Sequence, residues 1–404
     1  MEQLKRTICR LSLGLLVIYV LTLRFDIRPV RASSSIYIRA DGRIDPLTAN
    51  ITTTDQSTYI FTGNNYEEII VERDNIVVDG AGYALQGAGP FHYSKGICLS
   101  SRSNVTIKNM EIKAFTIGVW LNHSSHSIIQ SNIITESILA IKQVNMSSNN
   151  SVCENKITGN DYGIELSHSS NNTINENTIT ENSGRGIRIL NWSSNNIISG
   201  NIITKNEWLG VGIGYYSNHS SVSGNKIADN GYGVMIALWS SNNTFYENDI
   251  TDNWGGFFLG GCSNNIIYHN NFIGNAQHVV NETSDDVNFW DDGYPSGGNY
   301  WSDYEERYPD AVEINDSGIW DTPYVICKSN QDNYPLMKPQ NPLFGDMNYD
   351  FRIDMKDIGV AALALGSHPT HPRWDNQADI NQDGRVDMKD LVLIASNFGK
   401  TSLD

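Results

Sequence analysis

Short apolar alternations, such as Ile187-x-Ile189 and the pair Ile202-Ile203, recur through the middle of the chain. Gly, Asn and Ser set them apart. Each run is too short for a helix and long enough for a short strand. The pattern repeats as a unit. GIELSHSSNNTINENTITEN runs from Gly163 to Asn182, and GVMIALWSSNNTFYENDITDN from Gly233 to Asn253. One Asn marks every unit: Asn109, Asn132, Asn155, Asn177, Asn201, Asn225, Asn248 and Asn270, at spacings of 22–24 residues. A second follows five residues later at Asn160, Asn182, Asn206, Asn230, Asn253 and Asn275. A fixed period of this length means a solenoid. No unit holds a helical stretch, so the pattern predicts an all-β, right-handed parallel β-helix with three short strands per coil. Coils then stack about 4.8 Å apart. Amides stacked at that spacing hydrogen-bond into ladders, and Asn also tolerates the left-handed conformation of sharp corners. Residues 36–95 read as the N-terminal cap and first irregular coils. Residues 276–338 break the period and read as the C-terminal cap.

The pattern changes after Pro339-Gln340-Asn341-Pro342. Two similar segments follow, DMNYDFRIDMKD (Asp346–Asp357) and DINQDGRVDMKD (Asp379–Asp390). Oxygen-bearing side chains fall at positions 1, 3, 5, 9 and 12 of each. They are Asp346, Asn348, Asp350, Asp354 and Asp357, then Asp379, Asn381, Asp383, Asp387 and Asp390. Position 7, Arg352 or Arg385, would add a backbone carbonyl. This is the ligand spacing of a loop that wraps a hard cation, so two Ca²⁺ sites are expected. Amphipathic runs follow each loop, Ile358 to Leu365 and Leu391 to Phe398. Position 12 is Asp and no helix enters either loop. In these respects the pair resembles type I dockerins, whose duplicated loop-helix units bind cohesin domains. The resemblance implies a cohesin-like partner, read through loop positions 10 and 11: Met355, Lys356, Met388 and Lys389. Phe351 stands where position 6 normally carries Gly, which would weaken or distort the first site.

The repeats resemble the NosD-type periplasmic β-helix family and, more broadly, carbohydrate-associated β-helix domains. The stretches Asn288 to Tyr304, Asp321 to Ile326 and Asp332 to Met337 look like the tail of secreted archaeal members. On that resemblance the function expected is polysaccharide association at the cell surface or outside it. The alternatives are a glycoside hydrolase, lyase or epimerase recruited by the dockerin-like end, and a structural surface protein or NosD-type copper-associated one. Motifs of pectate lyases, polygalacturonases and alginate epimerases are mostly missing: there is no Gly-His-Gly, Asn-Thr-Asp, Arg-Ile-Lys or Asp-Pro-His-Asp. Glu154, Glu176 and Glu247 precede ladder Asn residues; such a column could supply a carboxylate pair for glycoside hydrolysis, though solvated turn positions explain it more simply, and Asp161, Glu165 and Arg188 on neighbouring coils form a second candidate cluster. His123, His126, His168, His219, His269 and His278 stand singly, without the Met or Cys partners copper favours.

Aromatic columns carry more. Nine residues before each ladder Asn lie His123, Met146, His168, Trp192, Tyr216 and Trp239; six or seven after lie Tyr162, Trp208, Tyr232 and Trp254. Two stripes of rings at coil spacing would offer a flat platform to sugar faces, or staple the turns together. The candidate glycan residues are Trp192, Tyr216, Trp239, Trp208, Tyr232 and Trp254.

Charge and the termini complete the picture. A net charge of −17 disfavours nucleic acid as a partner. Lys5, Arg6 and Arg10 precede an apolar run, Leu11 to Leu23, that is short for a membrane span. It reads as an export signal cleaved before Ser33, leaving no membrane span in the mature chain, or as an uncleaved anchor. The expected organisation is therefore signal peptide 1–32, capped β-helix 33–338, linker 339–344 and dockerin-like domain 345–404. Cys98, Cys153, Cys262 and Cys327 are scattered, without a zinc pattern, and either form disulfides after export or stay isolated. Sequons at Asn50, Asn122, Asn145, Asn171, Asn191, Asn218 and Asn242 are possible glycan sites of an exported protein.

Overall fold

In the computed structural model, residues 35–90, 93–281, 286–340, 345–348, 352–375, 377–381 and 383–400 are described. The expected signal peptide, Cys9, Asn341, Pro342, Asp350 and Phe351 lie outside them. The chain winds as a β-solenoid whose strands fall into three sheets of 12, 11 and 10 strands, here faces A, B and C. One coil shows the order: Tyr162–Ser167 on face A, Thr173–Asn175 on face B, Thr178–Thr180 on face C, then Arg185–Leu190 on face A again. Successive coils pair in parallel and in register, as in Ile164↔Ile187, Ile174↔Ile198 and Ile179↔Ile203. The middle residue of each short strand points inward. Ile157, Ile179, Ile203, Ile227 and Ile250 form one such column, all wholly buried. A stack of β-branched side chains at strand spacing fills a narrow core without polar atoms.

Three corners need three ways to turn, and each carries its own ladder. At the B–C corner Asn132, Asn155, Asn177, Asn201, Asn225, Asn248 and Asn270 are linked in sequence. Each Nδ2 donates to the next Oδ1 at 2.8–3.0 Å. Asn160 to Asn275 do the same at the C–A corner. A third ladder, which the period alone did not single out, runs through Asn150, Asn172, Asn196, Ser220, Asn243, Asn265 and Asn288 at the A–B corner.

Two expectations are corrected here. Asn109 is not a rung: the backbone N–H of Met110 donates to Asn132 Oδ1, and Asn109 points outward to Asp79. The ladder Asn residues are also not the left-handed ones. That conformation belongs to the residue before each rung, such as Glu154, Glu176 and Glu247 at φ of 55–56°. Asn109, at φ 55°, occupies that preceding position. The rung itself stays outside the left-handed region, and its amide reaches inward and along the stack.

The last coils extend the ladders with residues far apart in sequence. Asn270 hands on to Asn299, whose N–H donates to Asp332 at 2.7 Å. Asn288 hands on to Asn330. Trp301 stacks between Phe272 (4.4 Å) and Tyr324 (4.1 Å), closing the end of the core with rings. Among the described residues, Cys98, Cys153, Cys262 and Cys327 form no disulfide. No helix among the described residues is long and apolar enough to cross a membrane.

Two helices, α1 (Met355–Leu363) and α2 (Met388–Ser396), build the C-terminal unit around Ile353, Ala361, Val386 and Ile394. Both begin at loop position 10, three residues before the amphipathic runs suggested. A capping box starts each one: Asp354 accepts from Lys356 N–H, and Asp357 accepts from Asp354 N–H; Asp387 and Asp390 repeat this.

Candidate functional site

Face A presents its outward residues in register. Along its middle run Trp120, Lys142, Glu165, Arg188, Gly212, Met235 and Phe258. Both aromatic stripes border this face, one at each end of its strands. A six-residue strand separates them by about 20 Å.

The first stripe follows the strands at the A–B corner. Trp192 stacks on Tyr216 with centroids 5.6 Å apart and planes 5° apart. Tyr216 stacks on Trp239 at 5.2 Å and 14°. His168 tilts against Trp192 at 5.7 Å. The chain turns here through two consecutive left-handed residues: Asn191-Trp192, Tyr215-Tyr216 and Leu238-Trp239. Bulky residues are strained in that region by order 1–3 kcal/mol, where Gly would sit freely. At the next coil the position is in fact Gly261, with nothing near a Cβ placed on it. Stacking covers the inner faces, so the stripe is not a row of open faces. Trp192 and Trp239 are nonetheless 61% and 60% exposed. Among the described residues, no ring stacks on Trp239 from the Gly261 side.

The second stripe departs further from a flat platform. Arg185, in register with Tyr162, lies over the Trp208 ring at 3.5 Å and breaks the column. Tyr232 and Trp254 meet edge to face at 85°. The cause is register: Trp208 and Trp254 precede their strands, whereas Tyr162 and Tyr232 begin theirs. Trp208 and Trp254 are 45% and 54% exposed.

The acidic candidates separate. Glu165 is held between Lys142 (3.3 Å) and Arg188 (3.2 Å). Asp161 instead accepts from Ser183 in the turn. Glu154 accepts from Gln130 and Ser131. Gly200 and Gly224 occupy the turn positions between Glu176 and Glu247, so those two carboxylates are not neighbours. A carboxyl the sequence did not flag is Asp249, in a cleft of about 240 Å³ with Lys226 and Asn271. Burial raises it to about 6, against the Asn271 hydrogen bond and the Lys226 charge. Among the histidines, His278 is buried at the open end of face A, 3.3 Å from Asp303.

In the second Asp-rich loop, Asp379 accepts N–H groups from Asp383 and Gly384, and Asn381 accepts from Asp383. Gly384 turns the chain at φ 83°. Asp390 is wholly buried and its oxygens face the Asn381 and Asp387 N–H groups. Asp357, also wholly buried, faces Met347, Asn348 and Asp354 in the same way. The spacing of these oxygen-bearing residues is that of a hard-cation loop, while the buried Asp357 and Asp390 oxygens here accept backbone N–H groups. No group of three or more His, Cys, Asp or Glu is preassembled for a metal among the described residues. Met355 and Met388 are 67% and 62% exposed at the helix starts, with Lys356 and Lys389 exposed beside them.

Comparison with known proteins places the two parts. Residues 49–203 match the right handed beta helix region, residues 188–306 the periplasmic copper-binding protein NosD, and residues 341–398 the dockerin type I domain. The chain is a parallel β-helix followed by a dockerin. Dockerin type I domains generally bind calcium and pair with cohesins. No curated protein matches the sequence. Among solved structures, the mannuronan C-5 epimerase A-module of Azotobacter vinelandii aligns at 13% identity and a TM-score of 0.43, over 59% of this chain and 80% of that one. An alginate lyase from a Paenibacillus species aligns at 13% and 0.42, over 55% and 91%. The tailspike of E. coli bacteriophage HK620, in complex with a pentasaccharide, aligns at 14% and 0.44, over 59% and 48%. None of these scores assigns an activity.

Proposed function

We propose that this is an exported glycan-binding β-helix, tethered through its calcium-dependent dockerin to a cohesin-type partner, with the glycan lying along face A. One observation carries the reading: two exposed aromatic stripes border the same sheet face, coil after coil. A polymer running along the solenoid axis would meet a ring on each of the coils of Trp192, Tyr216 and Trp239, at a step of about 4.8 Å, close to the length of one pyranose unit. Bulky residues held in the left-handed region at Trp192, Tyr216 and Trp239 fit a surface retained for binding rather than for ease of folding. Trp239, exposed and the last ring of its column, is the strongest single contact.

Affinity gel electrophoresis of the full chain against a panel of plant, algal and microbial polysaccharides tests this. Trp192→Ala with Trp239→Ala should abolish retention on whichever polysaccharide the parent binds, with Trp239→Ala alone accounting for most of the loss. Undiminished retention in the double variant would overturn it. A catalytic reading has one observation in its favour, the raised carboxyl of Asp249 beside Lys226 in its cleft. Release of reducing or unsaturated sugar ends, lost in Asp249→Asn, would establish it; retention without product leaves the binding reading.

A further inference from the structure

The face between the stripes carries a charge opposite to that of the molecule. From Lys95 onward, the strands of face A hold four cationic residues, Lys95, Lys142, Arg185 and Arg188, and one acidic residue, Glu165. The whole chain stands at −17. Glu165 is shared between Lys142 and Arg188 and cannot neutralise both. Lys95 and Arg185 lie over rings, Lys95 Nζ at 3.7 Å from the Trp120 centroid and Arg185 at 3.5 Å from Trp208. Burial, and then the charge of Arg188, pull the Arg185 guanidinium below its ordinary pKa. The charge of Glu165 opposes this but does not cancel it. Glu68 lies within the field of Lys95 on the first of these coils, while Asp161 and Glu207 sit in the C–A turns at the edge of the coils that carry Lys142, Arg185 and Arg188. The A–B turns beside the first stripe, such as residues 190–196 and 237–243, contain no Asp, Glu, Lys or Arg.

We infer that the glycan bound along face A is an anionic polysaccharide, with carboxylate or sulfate groups seated on Lys142, Arg185 and Arg188. This deepens the glycan reading above and rests on it. A neutral glycan would gain nothing from gathering cations on one face of an acidic protein. An anionic one gains steering and charge-assisted hydrogen bonds, with Arg suited to a planar carboxylate. The excess lies on the coils of Lys142 to Arg188, whereas the open Trp239 lies further along. Charge and ring contacts therefore address successive units of one chain.

The test uses the full-length protein with polygalacturonate and alginate as anionic probes, and dextran and mannan as neutral ones. Retention of an anionic probe should fall at least tenfold between 50 mM and 500 mM NaCl. Lys142→Gln with Arg188→Gln should weaken it at least tenfold. Glu165→Gln should strengthen it, a gain that misfolding cannot mimic. Equal retention of neutral probes, insensitive to salt and to all three substitutions, would overturn the charge inference while leaving the stripes as the binding surface. Loss of all retention in neither charge nor tryptophan variants would sink both. A single-stranded oligonucleotide bound in place of the polyuronates, with the same salt response, would overturn the ligand class.

Discussion

A rung such as Asn177 satisfies several buried groups at once. Its Nδ2 donates to Val152 O, Asn175 O and Asn201 Oδ1, and its Oδ1 accepts from Asn155 N and Nδ2. Asn177→Ala leaves those partners buried and unpaired, so a loss of about 2 kcal/mol or more is expected. Asn109→Ala, outside the ladder, should cost under about 0.5 kcal/mol. Chemical unfolding of both variants checks the contrast, and equal losses would contradict the register described here. The two positions were indistinguishable in the sequence, because the marker Asn at 109 keeps the period within one residue. Only the backbone pairing shows that it has slipped onto the left-handed position. Asp332 was illegible for a different reason. It closes a ladder from 33 residues beyond Asn299, where no period survives. Burial pushes its carboxyl up to about 7, against the N–H groups of Asn299, Trp301 and Tyr334 that favour the charged form. A carboxyl raised in the folded state stabilises fully below its unfolded value near 4, and that stability is lost as pH rises through about 7. Unfolding free energy should therefore decline across this window in the parent. In Asp332→Asn the slope should flatten. An identical slope in both proteins would assign the dependence elsewhere.

Among elements, the two loop-helix units show how one residue spacing suits two purposes. Asp387 and Asp390 form the capping box of α2 (Met388–Ser396), and the same carboxylates stand at loop positions 9 and 12. The spacing that suggested a cation loop is thus also the spacing of a helix start, which is why both helices begin earlier than the apolar pattern indicated. Capping alone stabilises a helix end by about 1 kcal/mol. Cation binding would add linkage on top of that. We expect titration of the full chain with Ca²⁺ to release or absorb heat, and chelator to lower the helical circular dichroism signal. Asp379→Ala leaves the capping box untouched and should remove the response of the second loop. A chain that shows neither heat nor a spectral change would leave these carboxylates as caps alone. The strands tell a simpler story. Their inward columns were readable because each apolar residue recurs at the coil period. The aromatic columns were readable on the same basis, but not their orientation, which depends on whether a ring precedes its strand or begins it.

At the scale of the molecule, the β-helix has three faces that differ in what they expose, and the dockerin follows it in sequence with a core of its own. The β-helix places its rings on turns that would close more easily with glycine. That choice makes a prediction that separates binding from folding. Trp239→Gly removes the stacking with Tyr216, worth about 0.5–1.5 kcal/mol, and relieves a left-handed bulky residue of similar cost. The two changes offset, so the unfolding midpoint should move by only a few degrees in either direction. Glycan retention should nevertheless collapse, because the open ring is gone. A structural staple would behave the other way: the midpoint would drop sharply and any retention would survive at temperatures where the β-helix stays folded. Thermal unfolding and affinity gels on the same preparation read both quantities, and only loss of retention without loss of the fold agrees with a β-helix that holds its rings out for a ligand.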